Sequence, residues 1–352
     1  MIKPCARVTA SSFRRLDPLR DGEWDRIISK HPGATVFHSS RWAKVLSETY
    51  EFTPHYYVQD GERGEDEAFC LMEIRSWLTG RRAVSLPFTD RCEPLLYESG
   101  FDAAVAVARE LGIAANLKKI EFRGVPAEIA GQGPAQFLEH SVDLSPGAER
   151  LFECFESSVR RAVRKAEKSG VHVTIERSIE AVREYFSLHC ITRRKHGVPP
   201  PPFSFFENIY KHLINAGFAF VALARIGGDA LAGAIFFHFQ GKAEYKFGAS
   251  SGTLEAVRPS NAVMWAGIKH LAETGCQRVS LGRTSIRNEG LRRYKLGWGT
   301  KEIELRYLKI SPRSGQYLPD SDLAEGFHTK LLRLLPPILF QRIGANLYRH
   351  LG

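Results

Sequence analysis

A lysine and an arginine in the C-terminal half of the chain are the side chains best suited to chemistry. Lys295 follows Tyr294 and precedes the rigid triplet GWG at 297–299, and Arg283 comes just after a predicted strand. When an amine attacks an ester or thioester carbonyl, negative charge develops on the carbonyl oxygen, and a cation placed there lowers the barrier. This pattern indicates direct group transfer between two bound substrates. For Lys295 considered alone, a structural salt bridge is the alternative.

Motifs of other catalytic strategies are absent from the sequence. It contains no GxSxG elbow, Walker lysine loop, HExxH pair or paired Cys/His spacing. His189, Cys190 and His196 lie close together, but a zinc site needs further ligands, so packing or capping roles are favoured for them. We therefore expect neither metal catalysis nor a serine or cysteine nucleophile, and no tightly bound cofactor.

The composition indicates a globular protein, and its positive charge favours the binding of anions. The 352 residues predict two domains, and 43% hydrophobic with 25% charged residues is ordinary globular composition. A net charge of +10 favours phosphate groups, nucleic acid or an acidic membrane face, and an inert basic surface is the alternative. Six scattered cysteines, no signal peptide and no apolar run of about 20 residues predict a cytoplasmic protein.

An internal repeat predicts the architecture. Residues 50–122 read as three short strands, an apolar helix and another strand, and residues 218–282 repeat that order. We expect an α+β fold of two tandem units, each a mixed, mostly antiparallel sheet with flanking helices. The predicted bounds are 1–144 and 145–311, followed by a basic apolar tail, 312–352.

Two helices carry features that suit anion binding. A helix predicted from 145 to 170 has a basic arc and an opposite apolar arc, so it has one side for packing and one for anions. Its basic arc comprises Arg160, Arg161, Arg164, Lys165 and Lys168. A second helix, beginning around 259–260, presents free N–H groups beside Arg258 and Asn261, which suits phosphate. The alternatives are a solvated charged face for the first helix and a capped surface helix for the second.

The tail could bind either lipid or protein. Residues 327–352 are apolar and basic, and Pro336-Pro337 interrupts them. Lys330, Arg333, Arg342 and Arg349 would face the headgroups of an acidic membrane. Docking of a helix pair on the first domain is the favoured alternative.

Six sequence segments, in the same order along the chain, resemble those of a known family. They are WAK (42–44), VSLPFTD (84–90), SSVRRAVRKAEKSG (157–170), RRKHGVPPPP (193–202) and the segments 246–276 and 281–299. Together they resemble the Fem-type peptidyltransferases and their BioF2-like or exosortase-associated relatives, over about residues 30–310. The resemblance implies two tandem GNAT-like (acyl-CoA N-acyltransferase-like) units. Fem members move an aminoacyl group from charged tRNA to an amine of a peptidoglycan precursor.

The same resemblance implies roles for individual residues. Lys44 would contact substrate phosphate, Lys295 would stabilise the charge of the transfer step, and Tyr294 is the aromatic that precedes it. Their places in the family-like segments make Asp90, His196 and Arg258 further candidates for substrate binding. Asn261 and Arg283 are candidates as well, and Tyr245 would shape the substrate pocket together with Tyr294.

This chain departs from the family pattern at positions that the family uses for its substrates. Fem relatives carry an arginine and a tyrosine after the HG phrase, where this chain has Pro201 and Phe205, and there is no room for their helical arm. The segment RPSNA (258–262) also lacks the glycines of the CoA-pyrophosphate signature of GNAT enzymes.

The sequence therefore predicts an acyltransferase that modifies an amine of a cell-envelope or exopolysaccharide precursor. The acyl donor is aminoacyl-tRNA or acyl-CoA, and the acceptor is an anionic or lipid-linked precursor. No DNA partner is expected, and peripheral contact with the inner face of the membrane is compatible with the tail. The alternatives are an acetyl-CoA-dependent N-acetyltransferase and a non-catalytic membrane-peripheral or RNA-binding accessory protein.

Overall fold

The chain divides into two compact units. The computed structural model describes residues 13–61, 66–97, 100–125, 135, 137–318 and 335–352. The first unit contains the described residues up to 125, together with 305–318 and 349–352. The second contains residues 135–304 and 335–348 of the described chain.

In the part of the chain that the structure describes, the first unit is a six-stranded mixed sheet with three α-helices. Its strands are β1 (Arg14–Leu16), β2 (Thr53–Gln59), β3 (Glu67–Ser76), β4 (Gly80–Val84), β5 (Lys119–Arg123) and β13 (Tyr307–Ile310), and this is also their order in the sheet. The pair β4–β5 is parallel and the other pairs are antiparallel. Its helices are α1 (Glu23–Ile28), α2 (Ser40–Tyr50) and α3 (Gly100–Ala114). A parallel pair needs a crossover connection, which α3 supplies between β4 and β5.

An apolar stripe of α3 and one face of this sheet form the core of the first unit. Phe101, Ala104 and Ala108 of α3 are buried in the same cluster as Ile120 and Phe122 of β5. The spacing of three and four residues puts the α3 side chains on one helix face. Burying a side chain as large as Phe122 contributes about 1.5–3 kcal/mol.

The second unit is a seven-stranded mixed sheet. Its strands are β6 (Phe137–Asp143), β7 (His172–Glu176), β8 (Ala219–Ile226), β9 (Asp229–Phe239), β10 (Lys242–Ser250), β11 (Arg278–Ser285) and β12 (Lys301–Leu305). Their order in the sheet is β12-β6-β11-β10-β9-β8-β7. Its helices are α4 (Ala148–Cys154), α5 (Ser157–Lys168), α6 (Ile179–His196), α7 (Phe203–Ile209), α8 (Pro259–Glu273) and α9 (Glu289–Leu296), and one turn of π-helix (Tyr210–Ile214) extends α7. The last helix, α10 (Pro337–Leu351), lies near the end of the chain.

The helix α8 packs very closely on the second sheet. A Cβ added at Gly267 of α8 would lie 2.1 Å from the ring of Phe236 in β9, so glycine is required at this contact. Small residues on the neighbouring strands, among them Ala222 and Ala234, are fully buried in the same cluster. The close approach fixes the height of α8 above the strands, and therefore the position of its first turn.

The predicted repeat is confirmed. The order β2-β3-β4-α3-β5 of the first unit recurs as β8-β9-β10-α8-β11 in the second, and β10–β11 is again a parallel pair. In both units an antiparallel strand lies beyond the last strand of the repeat, β13 beside β5 and β6 beside β11. The α+β class with mixed, mostly antiparallel sheets is thus as expected.

Some predicted elements differ from the structure. The single helix predicted over 145–170 is two helices, because Phe155 between them is extended and its ring packs 5.1 Å from the ring of Trp298. The strand β6 was not predicted, and it pairs in the second sheet although the predicted boundary at 144/145 assigns it to the first unit. The last predicted strand, 302–309, is two strands that belong to different sheets.

The helix α10 packs on protein along one face. A Cβ at Gly344 would lie 2.0 Å from the carbonyl oxygen of Pro200, and the Tyr348 hydroxyl accepts a hydrogen bond from Arg193 (2.7 Å). These contacts lie in the second unit. The last residues, 349–352, belong to the first unit, where the guanidinium of Arg82 donates to the carbonyl oxygens of His350 (2.8 Å) and Gly352 (3.0 Å), so this end of the helix contacts the first unit as predicted. Lys330 and Arg333 of the predicted tail lie outside the described residues. No helix among the described residues combines the length and the apolar character needed to span a bilayer.

Candidate active site

Two neighbouring strands of the second sheet separate after a short parallel stretch. β10 and β11 pair only where Lys242–Glu244 faces Arg278–Ser280. Beyond that point β10 has an irregular register between Lys246 and Ala249, and β11 has one between Ser280 and Arg283. Bulges leave backbone groups outside the ladder and turn them in new directions, so this split can present N–H groups to a ligand.

The bulge of β10 contains a residue in an unusual backbone conformation. Phe247 has φ of 56°, in the left-handed region that an aromatic residue rarely adopts. Its carbonyl oxygen accepts a hydrogen bond from the hydroxyl of Tyr185 in α6, and that hydroxyl also lies 3.2 Å from Nδ1 of His189. Both side chains are buried, so α6 holds the bulge in place from one side of the sheet.

A cavity of about 750 Å³ opens between α5, the start of α8 and α9. This volume is in the range of pockets that bind small organic ligands. The lining residues are Glu156, Ser158, Val159, Arg161, Ala162 and Lys165 at α5, Arg258 and Asn261 at α8, and Gly290, Arg293, Tyr294 and Gly297 at α9.

Positive charge dominates the cavity wall. Four lining residues are cationic, namely Arg161, Lys165, Arg258 and Arg293, and Glu156 is the carboxylate among them. Such an arrangement attracts phosphate and other anions.

The helix α5 supplies two of these cations because it is amphipathic, as predicted. Val159, Val163 and Ala166 are buried in the core of the second unit, whereas Arg161 and Lys165 reach the cavity. The apolar side fixes the helix and leaves the basic side for a ligand.

The first turn of α8 also faces the cavity. Arg258, with φ of 62°, precedes Pro259 at the first helical position, and Asn261 lies within the first turn. Proline suits this position because the first N–H groups of a helix have no intrahelical partner. The N–H groups of Asn261 and Ala262 donate to the carbonyl oxygen of Arg258 (3.1 and 3.3 Å), so the positive end of the helix dipole and the side chains of Arg258 and Asn261 are what favour a bound anion here.

The helix α9 brings Tyr294 to the cavity. The Asn288 side chain caps the helix by accepting from the N–H of Leu291 (3.0 Å). The ring of Tyr294 packs 6.3 Å from the buried ring of Trp298. Although 39% of the Tyr294 side chain is exposed, its crowded surroundings raise the pKa of its hydroxyl. The hydroxyl therefore stays protonated at neutral pH and can donate a proton or a hydrogen bond.

The family comparison decides what this unit is. Residues 155–302 match the family model described as the acetyltransferase (GNAT) domain, and the cavity lies within that range. The second unit is a GNAT acetyltransferase domain. The expected Fem-type, GNAT-like acyltransferase is thereby confirmed at the level of the domain and its enzyme class.

Solved structures share the fold over most of the chain. A crystal structure of FemX is 17% identical, covers 83% of this chain and 95% of its own, and has a TM-score of 0.67. A tandem GNAT protein from the clavulanic acid biosynthesis pathway, at 11% identity, covers 85% and 98% with a TM-score of 0.55. L-PGS from Bacillus licheniformis, at 15% identity, covers 86% and 96% with a TM-score of 0.53. These likenesses show a shared tandem fold, and a search of the curated proteins gives no significant match.

Lys295 lies beneath the surface of the GNAT domain. The side chain is only 6% exposed, and its ammonium group donates to the carbonyl oxygens of Gly282 (2.8 Å) and Arg283 (2.9 Å). These carbonyls belong to the bulge of β11, so Lys295 fastens α9 to the strand edge. It is not among the residues that line the cavity, whereas the adjacent Tyr294 is. The oxyanion role remains a prediction.

Tyr245 supports the site from within the core. Its ring packs 5.4 Å from Phe236, and a Cβ at Gly248 would lie 1.9 Å from its hydroxyl oxygen. Burial raises the pKa of Tyr245 above the usual range for tyrosine. Gly248 therefore leaves the room that this hydroxyl needs under the bulge of β10, and Tyr245 does not line the cavity.

Other predicted residues lie elsewhere. Arg283 is exposed on β11, with its guanidinium 4.2 Å from the centre of the Phe137 ring, and His196 is exposed at the end of α6. Lys44 on α2 and Asp90 after β4 belong to the first unit, where the Asp90 carbonyl accepts from the Tyr307 hydroxyl (2.6 Å). None of these four lines the described cavity.

The structure thus brings together Arg258, Asn261 and Tyr294 from the predicted set. It adds Arg293 and Glu156, which were not predicted, and it gives a location to Arg161 and Lys165 of the basic helix. The amphipathic pattern of α5 carried the signal for the last two. Nothing in the sequence distinguished Arg293 from Arg292, whose guanidinium is engaged by Glu302 (2.7 Å).

Proposed function

We propose that the protein transfers an acyl or aminoacyl group from a phosphate-bearing donor to an amine of a cell-envelope precursor. The cationic cavity beside the first turn of α8 carries this proposal. It combines four cations, the positive end of a helix dipole and a tyrosine hydroxyl at one place in a GNAT domain. An anionic donor would bind there with its reactive carbonyl toward the split between β10 and β11.

The cavity favours charged tRNA over CoA as the donor. Two of its cations, Arg161 and Lys165, lie one helical turn apart on α5, and this row suits successive phosphates of a nucleic-acid backbone. The segment 258–262 lacks the glycines with which GNAT enzymes hold a pyrophosphate. The structural similarity to FemX and to L-PGS supports an envelope or lipid-linked acceptor.

The proposed step needs one base and one acid. The acceptor nitrogen attacks the carbonyl carbon of the donor, and a C–N bond forms while the C–O bond of the ester, or the C–S bond of a thioester, breaks. Glu156 takes the proton that the amine loses, and the Tyr294 hydroxyl gives a proton to the leaving oxygen or sulfur. A later proton transfer from Glu156 through solvent restores Tyr294.

Charge stabilisation accompanies that step. Backbone N–H groups at the β10 bulge and the ammonium of Lys295 at the β11 bulge lower the energy of the transient oxyanion. Lys44 binds acceptor phosphate, and Asp90, His196 and Arg283 contribute to acceptor binding. These assignments rest on the resemblance and await mutagenesis.

The decisive experiment compares two donors with the full-length protein. Transfer is measured by mass spectrometry from a set of aminoacyl-tRNAs and from acetyl-CoA, with a nucleotide-linked peptidoglycan peptide as the amine acceptor. We expect transfer from charged tRNA, binding that weakens steeply with salt, and little acetyl-CoA binding by calorimetry.

Two outcomes would replace the proposal. Turnover with acetyl-CoA and none with charged tRNA would make the protein an N-acetyltransferase, a function that the match to the acetyltransferase domain also supports. Retention of tRNA with no turnover of either donor would make it an RNA-binding accessory protein.

We also propose that the protein contacts an acidic membrane through α10. Ile338 and Leu339, 71% and 45% exposed, lie on the face that does not pack on protein, close to the exposed Arg342. Apolar and basic residues together suit an anionic lipid surface. Flotation with phosphatidylglycerol vesicles should fall for an Ile338→Ser, Leu339→Ser variant, and equal flotation of variant and wild type would exclude this contact.

A further inference from the structure

Three metal-binding side chains meet inside the first unit. The ligand atoms of His38, Cys70 and Cys92 all lie within 4.8 Å of one another. His38 ends a short 3₁₀ turn (Val36–His38) before α2, Cys70 lies in β3, and Cys92 follows β4. All three side chains are at most 2% exposed. The fold alone brings them together, since no compact sequence motif links them.

The spacing of the two sulfur atoms matches tetrahedral zinc. The Sγ atoms of Cys70 and Cys92 lie 3.7 Å apart. Two Zn–S bonds of about 2.3 Å at the tetrahedral angle separate their sulfurs by about 3.8 Å. Two thiolates with one imidazole form a soft donor set, and this set favours zinc among the common divalent ions.

A buried hydroxyl without a partner faces the same cluster. Tyr56 lies directly opposite Cys70 in the β2–β3 register, and its side chain is completely buried. Among the described residues its hydroxyl has no hydrogen-bond partner. Directly opposed side chains of neighbouring strands point to the same face of a sheet, so Tyr56 and Cys70 share one face. An unsatisfied buried hydroxyl destabilises a fold by about 1–3 kcal/mol, and a metal ion would remove that penalty.

We propose that His38, Cys70, Cys92 and Tyr56 form a structural zinc site in the first unit. The two thiols release two protons as Zn²⁺ binds, and the resulting thiolates balance its charge of +2. The occupied site is therefore neutral, as a completely buried group has to be to avoid a large desolvation penalty. The neutral Tyr56 hydroxyl completes the tetrahedron.

His38 is held in an orientation that suits this role. Its Nδ1 lies 3.0 Å from the N–H of Thr35 and 3.1 Å from the Thr35 hydroxyl, and its Nε2 lies 2.8 Å from the carbonyl oxygen of Glu93, the residue after Cys92. Zinc replaces the Nε2–Glu93 hydrogen bond, and the ring proton moves to Nδ1. Nδ1 then gives up the hydrogen bond that it accepts from the Thr35 N–H and donates to the Thr35 hydroxyl instead. An outer hydrogen bond of this kind commonly fixes the tautomer of a metal-bound histidine.

The function of the site is to hold three chain segments together. It links the turn before α2, the strand β3 and the loop after β4. A closed site with four protein ligands stabilises a fold and leaves no position for substrate. The proposal is independent of the reaction assigned to the GNAT domain, and its test does not use turnover.

The test measures metal content and metal spectra of the full chain, freed of any affinity tag. Elemental analysis should find about one zinc ion per chain after dialysis against metal-free buffer. After unfolding in a chelator and refolding with Co²⁺, the protein should show thiolate-to-cobalt charge transfer and the strong visible bands of tetrahedral Co²⁺. The zinc-loaded form should melt at a higher temperature than the metal-free form.

Three variants separate the site from its surroundings. Cys92→Ser should lose both the zinc and the cobalt bands, and His38→Asn, which retains an acceptor near the N–H of Thr35, should weaken binding at least tenfold. Cys276→Ser is the matched control, because Cys276 is a buried cysteine of the second unit, 8% exposed. It should bind zinc like the wild type.

Several results would overturn the proposal. Absence of stoichiometric metal in the purified and in the refolded wild type would do so without any variant. Cobalt spectra that lack thiolate bands would also exclude it, as would zinc binding by Cys92→Ser equal to that of the control. Recovery of Cys70 and Cys92 as a disulfide under reducing purification would show an oxidised pair in place of a metal site.

Discussion

The two sheets differ at the same position, where their parallel strand pairs end. In the first unit, β4 and β5 stay connected past the end of the ladder. The N–H of Ser85 donates to the carbonyl of Glu121 (2.8 Å), and the N–H of Arg123 donates to the Ser85 hydroxyl (2.7 Å). In the second unit, both β10 and β11 have irregular registers at this level.

The side chains at the ends of the two parallel strand pairs also differ between the units. The guanidinium of Arg123 donates to the carboxylate of Glu121 (2.7 Å) and to the carbonyls of Leu86 (3.2 Å) and Thr89 (3.0 Å). It therefore occupies the space that the strands would open. The corresponding part of the second unit has the Lys295 ammonium on the carbonyls of Gly282 and Arg283, which holds the bulge in shape without filling the split. Among the described residues, the copy with irregular strand registers is also the copy that contains the cationic cavity.

The largest effect is expected for Tyr294→Phe. Loss of the acid should lower kcat about 10²–10⁴-fold with little change in melting temperature, since the ring and its contact with Trp298 remain. The assay is steady-state transfer with a saturating donor. Tyr317→Phe, an exposed tyrosine of the first unit, is the control and should keep full activity. Equal rates for the two variants would remove Tyr294 from the mechanism.

Lys295→Ala should lower kcat on the order of 10²–10³-fold, because the oxyanion loses a cation and the β11 bulge loses its anchor. Two buried carbonyl groups would also lack their donor, so the free energy of unfolding should fall by about 1–3 kcal/mol. Urea unfolding and turnover of the same sample measure both effects. Near-normal turnover in a destabilised protein would show that Lys295 only supports the fold.

Arg123→Met tests the first unit, where the Arg123 side chain occupies the space between the ends of β4 and β5. The Glu121 carboxylate would remain buried, with Lys309 at 3.9 Å as its nearest remaining cation, so we expect a loss of about 3 kcal/mol in the free energy of unfolding. The KM for the donor should not change. The exposed Arg287 offers a matched control as Arg287→Met. A raised donor KM in Arg123→Met alone would mean that the first unit also takes part in donor binding.

Arg161→Gln and Arg258→Gln should each raise the KM for the donor about tenfold with a smaller change in kcat, since each removes one contact to an anion. Both residues are exposed, so the melting temperature should stay the same. Arg183→Gln, on α6 and outside the cavity, is the control. Unchanged donor KM values in both variants would place the donor elsewhere.

The smallest effect concerns pH. Burial, followed by the charge of Lys295, lowers the pKa of His140 to about 4, so the folded protein keeps this ring neutral. Glu302, Glu139 and Arg292 also act on the ring, the two carboxylates opposing the shift and the arginine adding to it. The unfolded chain binds a proton below about pH 6.5, so stability should fall as the pH drops from there to about 4. His140→Phe should flatten this part of the stability profile, and an unchanged slope would assign it to other groups.

The sequence predicted the repeat and the basic helix because both depend on local periodicity. The strands of the repeat alternate with clear turn residues, and α5 separates Arg161 from Val163 by helical geometry alone. The helix start around 259–260 was also predicted, and it places Arg258 and Asn261 at the cavity.

The remaining parts depend on contacts that no local pattern records. The partners of Lys295 are backbone carbonyls of a bulge, and a bulge has no residue signature in this chain. Tyr245 is buried because Gly248 leaves room for its hydroxyl, which only the folded strand shows. His38, Cys70 and Cys92 are far apart in the sequence, so no ligand spacing predicts that they meet.

The position of β13 has a consequence for how the chain matures on the ribosome. Residues 307–310 complete the first sheet beside β5, yet they are synthesised after the whole acetyltransferase domain. Until they emerge, the edge of β5 exposes unpaired backbone groups, which are a template for aggregation. Nascent chains that stall between residues 125 and 305 should consequently depend on chaperones far more than the released protein does.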